Sequence, residues 1–399
     1  MLSISQTIRV VILAVMLFPQ CHEKQKLSEP LCLPFRLIND IIYVRIGINE
    51  IDSLNFIFDT GAGSTLIGLR TGDLLGLTNG KKSTNIGAAG SHPVQIFHGN
   101  SIAIGQETID NISLIKNETE LSSALLGERL DGIVGYDILS RFVVTIDYDR
   151  SLIELHDFGK YSADSSWHEI KFKKISNIPS ISLAFTIDDK EYLGKFLVDS
   201  GADANMILGP SFVKDNGIME EIHNSYSFNS RIGTSNAKTE VVITRISNMK
   251  MGKVDFRQVP LALILSNSGV FSLLNFDGIL GNSILKRFNI TFDYRKNRMF
   301  INPNKSIDEG FSVDCLGILF KKDKSDGKLI VQNTIKGSSA EKAGLIRGDT
   351  ITSINNMDIK DLSSHELRIL FRDDGSDITF EYLRSGQPYV VKMKLKALI

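Results

Sequence analysis

Two short stretches of this chain repeat each other 140 positions apart. Phe58-Asp59-Thr60-Gly61-Ala62 closes one apolar run and Val198-Asp199-Ser200-Gly201-Ala202 closes another (199 − 59 = 140). In each, the apolar residues read as buried strand, and the glycine after the aspartate supplies a tight turn. One such turn carries little weight, because Asp and Gly are common turn residues. The pair carries much more, since further landmarks recur in the same order. Ile232-Gly233 repeats Ile86-Gly87 (233 − 87 = 146), and Met251-Gly252 repeats Ile104-Gly105 (252 − 105 = 147). Gly278-Ile279-Leu280-Gly281 repeats Gly132-Ile133-Val134-Gly135 (278 − 132 = 146), and a closing hairpin follows each. Offsets of 140, then 146 or 147, are those of a duplication with one insertion. Two homologous lobes are expected, and β-branched runs bounded by turns, such as Ile41–Ile48, make them mostly antiparallel β.

A chain of 399 residues with 42% hydrophobic content has material for two or three packed domains. The lobes are expected at 33–160 and 166–303, joined by the polar run 161–166. A polar hinge, 303–314, leads to a third unit at 314–399. The net charge, 45 − 46 = −1, gives no field favouring nucleic acid. At the N-terminus, Arg9 precedes the apolar run Val10–Phe18, too short to span a bilayer, so 1–21 reads as an export signal. The position of Cys21 resembles a bacterial lipoprotein signal, in which that cysteine would attach the chain to a membrane. Phe18-Pro19-Gln20 departs from the small residues usual there, and plain secretion is the alternative. An exported chain in the cell envelope is expected.

Two facing Asp-Thr/Ser-Gly loops would bring Asp59 and Asp199 together, and two close carboxylates share a proton. The ionised member can take a proton from water while the protonated one polarises a peptide carbonyl. Thr60 and Ser200 would hold the loops together, and Gly61 and Gly201 leave backbone amides free for the carboxylates. No metal-ligand spacing, Cys-x-x-Cys or Gly-x-Ser-x-Gly occurs, so no metal or cofactor is expected.

These paired motifs resemble the two-lobed retropepsin-like aspartic proteases over about residues 33–303. The resemblance implies a mainly β fold, duplicated lobes with a cleft between them, and Asp59 and Asp199 as catalytic residues. It also implies polypeptide substrates and flap hairpins at Gly87-Ala88 and Gly233-Thr234. The stretch Gly337–Asn355, with its Ala-Gly-Leu and Arg-Gly-Asp turns, resembles an α+β PDZ domain of the kind found with bacterial proteases. Leu316-Gly317-Ile318-Leu319-Phe320 then stands where a peptide C-terminus would be captured, a buried strand being the alternative. His365 faces either that groove or solvent. Asp203, where the first loop has Gly63, either perturbs the dyad or points to solvent.

Two other readings are open. A nucleotide-binding fold of the actin and sugar-kinase type also duplicates an Asp-x-Gly loop, but long helical periodicity is missing here. A non-catalytic peptide-binding protein would keep the fold and lose the chemistry. Cys32 and Cys315 either pair or remain free thiols. The resemblance implies that the first and last strands of the protease unit lie side by side, which would favour pairing.

Overall fold

The computed structural model describes residues 13–14, 29–87, 90–105, 107–117, 129–231, 238–266, 270–322 and 327–399. Stretch 1–21, expected as an export signal and including Cys21, falls outside them apart from Leu13-Ala14. Those two residues pair with Ile86 and Gly87. The architecture is mainly β, with two lobes and a C-terminal α+β domain.

The lobes share a base sheet. Its strands run in the order Leu31–Ile38, Leu152–His156, Val143–Asp147, Phe288–Asp293, Arg298–Pro303, His168–Lys171. At its centre Val143–Asp147 lies antiparallel to Phe288–Asp293, with Thr145 directly opposite Thr291. Those two are repeat equivalents (291 − 145 = 146), and their hydroxyls meet at 2.8 Å. An antiparallel pair of equivalent strands is related by a two-fold axis, so the duplication is built into the register of this one ladder.

Above the base, each lobe opens with a hairpin turned at two consecutive residues of positive φ: Asn39-Asp40 in the first lobe and Ser176-Asn177 in the second. That backbone matches the twist of the flanking strands. The apolar core is continuous through both lobes, running from Ile42 and Phe56 to Phe196 and Phe288. The third domain has its own core, including Leu316, Phe320, Val331, Ile351 and Phe380. Its sheet runs Ile318–Lys322, Leu329–Thr334, Thr350–Ile354, Asp377–Arg384, Gln387–Lys394.

The connector between them is not a free hinge. The buried Arg287 guanidinium donates to the carbonyls of Ser306, Ile307, Glu309 and Gly310 and lies over the Phe311 ring. Four carbonyls satisfied by one fork fix the path of the chain into the third domain.

The first and last strands of the two-lobed unit do not lie side by side, contrary to the arrangement expected from the resemblance. Three strands separate Leu31–Ile38 from Arg298–Pro303 in the base sheet. Both cysteines are free, Cys32 exposed on the outermost of those strands and Cys315 in the third domain's core. Among the described residues no helix is long and apolar enough to cross a membrane.

Candidate active site

Each aspartate is delivered by the same crossing of strands. Ile51–Phe58 runs parallel to Gly132–Val134, with Phe58 beside Val134. The chain then loops over and returns as Leu66–Ile67 along the other edge of the same strand, antiparallel. The amide of Asp59 donates to Val134 O at 3.1 Å, which fixes the loop's start. So close a crossing leaves no room for a Cβ. A Cβ on Gly132 would lie under 3.0 Å from Leu66 O, and one on Gly135 under 3.0 Å from Ser64 O. The second lobe repeats this. Lys190–Asp199 is parallel, and Met206–Leu208 antiparallel, to Gly278–Gly281, whose end glycines press on Ile207 O and Ala204 O. The Gly-apolar-apolar-Gly spacing is thus the steric record of the crossing.

The two loops interlock. Thr60 N donates to Ser200 Oγ at 3.0 Å and Ser200 N to Thr60 Oγ1 at 3.0 Å. Each hydroxyl then donates across the axis, Thr60 Oγ1 to Val198 O at 2.9 Å and Ser200 Oγ to Phe58 O at 3.0 Å. Four reciprocal bonds between buried groups hold Asp59 and Asp199 at a fixed separation, since losing any one strands a buried polar atom. The glycines after the aspartates are needed for the approach: a Cβ on Gly61 would meet the Asp199 carboxyl, and one on Gly201 the Asp59 carboxyl, each under 3.0 Å away.

Both carboxyls are fully buried. Asp59 Oδ1 accepts from Gly61 N at 2.7 Å and Asp199 Oδ1 from Gly201 N at 2.9 Å. Among the described residues, neither Oδ2 has a donor. Burial, then the neighbouring Asp199 charge, pushes the Asp59 carboxyl well above the usual carboxylate range, against the pull of the Gly61 and Gly201 amides. Burial also raises Asp199, opposed by its contact with Asp59 and by the Gly201 and Ala202 amides. Two unsatisfied oxygens on adjacent, desolvated carboxyls call for one proton between them.

Strands 81–87 and 90–104 form a hairpin with Gly87 at its end, opposite Gly90; Ala88 lies outside the described residues. Strands Tyr226–Arg231 and Lys238–Met251 form its counterpart, whose Gly233 and Thr234 also lie outside them. In the third domain, Leu316, Gly317, Ile318, Leu319 and Phe320 are all buried. Ile318–Lys322 is an edge strand, with Ile318 and Phe320 in the domain's own core. Leu319 points the other way and packs with Ile335 into a cluster of second-lobe residues that includes Tyr226, Phe228 and Ile243. The amides of Leu316 and Gly317 donate to the side chain of Asp314, an internal carboxylate.

His365 bonds Asn39 Oδ1 at 3.1 Å, facing the first lobe. Asp203 is half-buried and not bare: its carboxylate takes both terminal nitrogens of Arg368, Nη2 at 2.7 Å. Asp40 stands beside them, held by Lys286 at 2.8 Å and Ser283 at 2.7 Å. Burial alone would raise the Asp40 carboxyl, but the Arg368 and Lys286 charges and these hydrogen bonds hold it well below the usual range. Sequence reasoning missed Arg368, Asp40 and the tyrosines Tyr148 and Tyr294. The repeat offset would have paired the tyrosines (294 − 148 = 146); no local pattern marks the arginine.

Among the described residues no cluster of three or more His, Cys, Asp or Glu side chains could hold a metal ion. The fold and the interlocked loops define the class as a duplicated, retropepsin-like aspartyl-protease fold. Residues 44–138 and 183–284 match the family described as "Aspartyl protease", and residues 315–395 match the "PDZ domain" family. The chain is a two-lobed aspartyl-protease-like unit followed by a PDZ domain. The aspartic proteinase from Irpex lacteus covers 70% of this chain and 98% of its own at 13% identity, with a TM-score of 0.45. Curated relatives include the carboxy-terminal processing protease CtpA of Bacillus subtilis, 35% identical over 83 residues (21% of this chain, 18% of the relative). A probable periplasmic serine protease do/HhoA-like of Haemophilus influenzae is 40% identical over 67 residues (17% and 14%). The chain thus spans under a fifth of the length of either.

Proposed function

We propose that this chain is an aspartic endopeptidase, exported to the cell envelope, that hydrolyses peptide bonds in polypeptide substrates with Asp59 and Asp199 as its catalytic pair. The observation that carries this is the pair of buried carboxyls with one amide-bonded oxygen each and, among the described residues, no donor on the other. In the working form one carboxyl is ionised and one protonated. The ionised member removes a proton from a water, and that water attacks the scissile carbonyl, which the protonated member polarises. Thr60 and Ser200 position the pair without touching substrate.

The serine proteases among the relatives do not weigh against the aspartic type. Their alignments run over 83 and 67 residues, too short to include both Asp59 and Asp199, which are 140 apart. The PDZ domain is the part of the chain suited to binding a polypeptide end or regulating access. Attachment through a lipidated Cys21 would place the enzyme on a membrane surface.

The test is cleavage of a peptide library by the purified mature chain between pH 4 and pH 8. Activity that falls at both ends of the profile and vanishes in Asp59→Asn and Asp199→Asn is expected. Peptide binding with no cleavage at any pH would leave a binding protein in place of the enzyme.

A further inference from the structure

The PDZ domain touches the second catalytic loop. Asp203 is the fourth residue after Asp199, and Arg368 reaches it from the PDZ helix Ser364–Leu370. The same guanidinium approaches Asn39 O at 3.5 Å and Asp40 Oδ2 at 3.5 Å, in the first turn of the first lobe. One side chain therefore ties the second-lobe loop, the first-lobe turn and the PDZ helix together.

The surrounding groups close the charge balance. Asp203 and Asp40 face Arg368 directly, His365 lies on its own helix against Asn39, and Lys286 shares Asp40. Arg372, one turn further along, feels Arg368, Asp203, Asp40 and Asp314. Three arginine or lysine charges gather with three carboxyls in a half-buried region. Removing one member there leaves its half-buried partner uncompensated. The first lobe has no such tie, because Gly63 stands where the second lobe has Asp203 (203 − 63 = 140).

We propose that Arg368 is a positioning residue for the second catalytic loop: through Asp203 it holds Ser200-Gly201-Ala202, and with them the Asp199 carboxyl, in the working geometry, so that the docked PDZ domain is part of the proteolytic site. The proposal rests on Asp59 and Asp199 being the catalytic pair. Backbone placement matters here because Gly201 N binds Asp199 Oδ1 and Ser200 locks to Thr60. A shift of the loop by a fraction of an ångström moves the carboxyl and both locks at once. Arg is suited to this role because its planar fork binds a carboxylate through two nitrogens, which a lysine cannot do.

The test uses the full-length mature chain as wild type, Arg368→Met, Arg368→Lys, Asp203→Asn and the double variant Arg368→Met/Asp203→Asn. Peptide cleavage is measured as kcat and KM across pH, and amide exchange of residues 199–203 is measured separately. Arg368→Met should lower kcat between about tenfold and a hundredfold, as misplacement of a catalytic group does, with KM changed much less. Its profile should move to higher pH, because the bare Asp203 carboxylate disfavours ionisation of the nearby pair. The double variant, lacking both charges, should return the profile toward wild type while keeping the slower rate. Arg368→Lys should fall between. Faster exchange at 199–203 in Arg368→Met is expected whether or not cleavage is seen. Wild-type kcat and profile in both Arg368 variants, or unchanged exchange across 199–203, would overturn the proposal. A wild type that cleaves nothing would instead remove the enzymatic reading, and the exchange measurement would still decide whether Arg368 orders the loop.

Discussion

The two lobes are built on one plan and differ where their equivalent residues meet the base of the site. In the second lobe Asn282 accepts from the Tyr148 hydroxyl at 2.5 Å and donates to Asp40 O at 2.7 Å. Its first-lobe equivalent is Tyr136 (282 − 136 = 146), which meets Tyr294 edge to face at a centroid separation of 5.6 Å. The Tyr294 hydroxyl is left buried without a partner among the described residues, and burial together with the Asp59 charge holds it well above the usual tyrosine range. One step further on, Ser283 donates to Asp40, while its equivalent Asp137 accepts from Thr65 N at 2.6 Å. One side is thus a satisfied polar network capped by the PDZ arginine; the other is aromatic, with a buried acid. The lesson is that the shared backbone crossing holds both aspartates alike, while their surroundings are free to diverge and make the pair unequal.

The comparison breaks first at its symmetric part. Asp59→Asn and Asp199→Asn should each cut cleavage on the order of a thousandfold, because either loss removes the shared proton's partner. Near-normal turnover in one of the two would show that the pair does not act as a unit. Gly61→Ala and Gly201→Ala should be equally harmful, destabilising by about 1–3 kcal/mol through overpacking against the opposite carboxyl. Urea unfolding read beside cleavage checks this, and a tolerated alanine on one side only would mean that the loops are not equally tight.

The tyrosines sharpen the difference. Tyr148→Phe strands Asn282 Oδ1 and should cost about 1–3 kcal/mol. Tyr294→Phe removes a hydroxyl that has no partner among the described residues and should leave stability unchanged or raise it by about 0.5 kcal/mol. Equal losses in a thermal unfolding series would refute the asymmetry.

The last test, confined to a pH window, concerns Asp137, raised to about 6 by burial against the opposing pull of nearby amides, the Thr65 hydroxyl and Arg141. A carboxyl whose folded pKa exceeds its unfolded value binds more protons when folded. Its contribution to stability is therefore full below the unfolded pKa and is lost as pH rises from about 4 through about 6. Asp137→Asn keeps an acceptor for Thr65 N and removes the buried charge. It should gain about 2–3 kcal/mol over wild type at pH 7 and little at pH 4. A pH-independent difference in unfolding free energy would contradict this assignment.

What the sequence determined by itself was whatever repeats or is encoded locally. The duplication was legible in ordered offsets, and the strand class in runs such as Ile41–Ile48. The loops were legible in Asp-Thr-Gly and Asp-Ser-Gly, and the PDZ domain in its Ala-Gly-Leu and Arg-Gly-Asp turns. The glycine pairs at 132 and 135 and at 278 and 281 were readable because a backbone crossing excludes a Cβ, a constraint written at single positions. Only the tertiary structure decided that the cysteines lie apart, that Arg287 pins the connector and that Leu316–Phe320 is buried. It alone placed Arg368 on Asp203, 165 positions away. Side-chain pairing at that range depends on how whole sheets dock. Burial decides which charged groups must find a partner, and neither docking nor burial leaves a periodic trace in the chain.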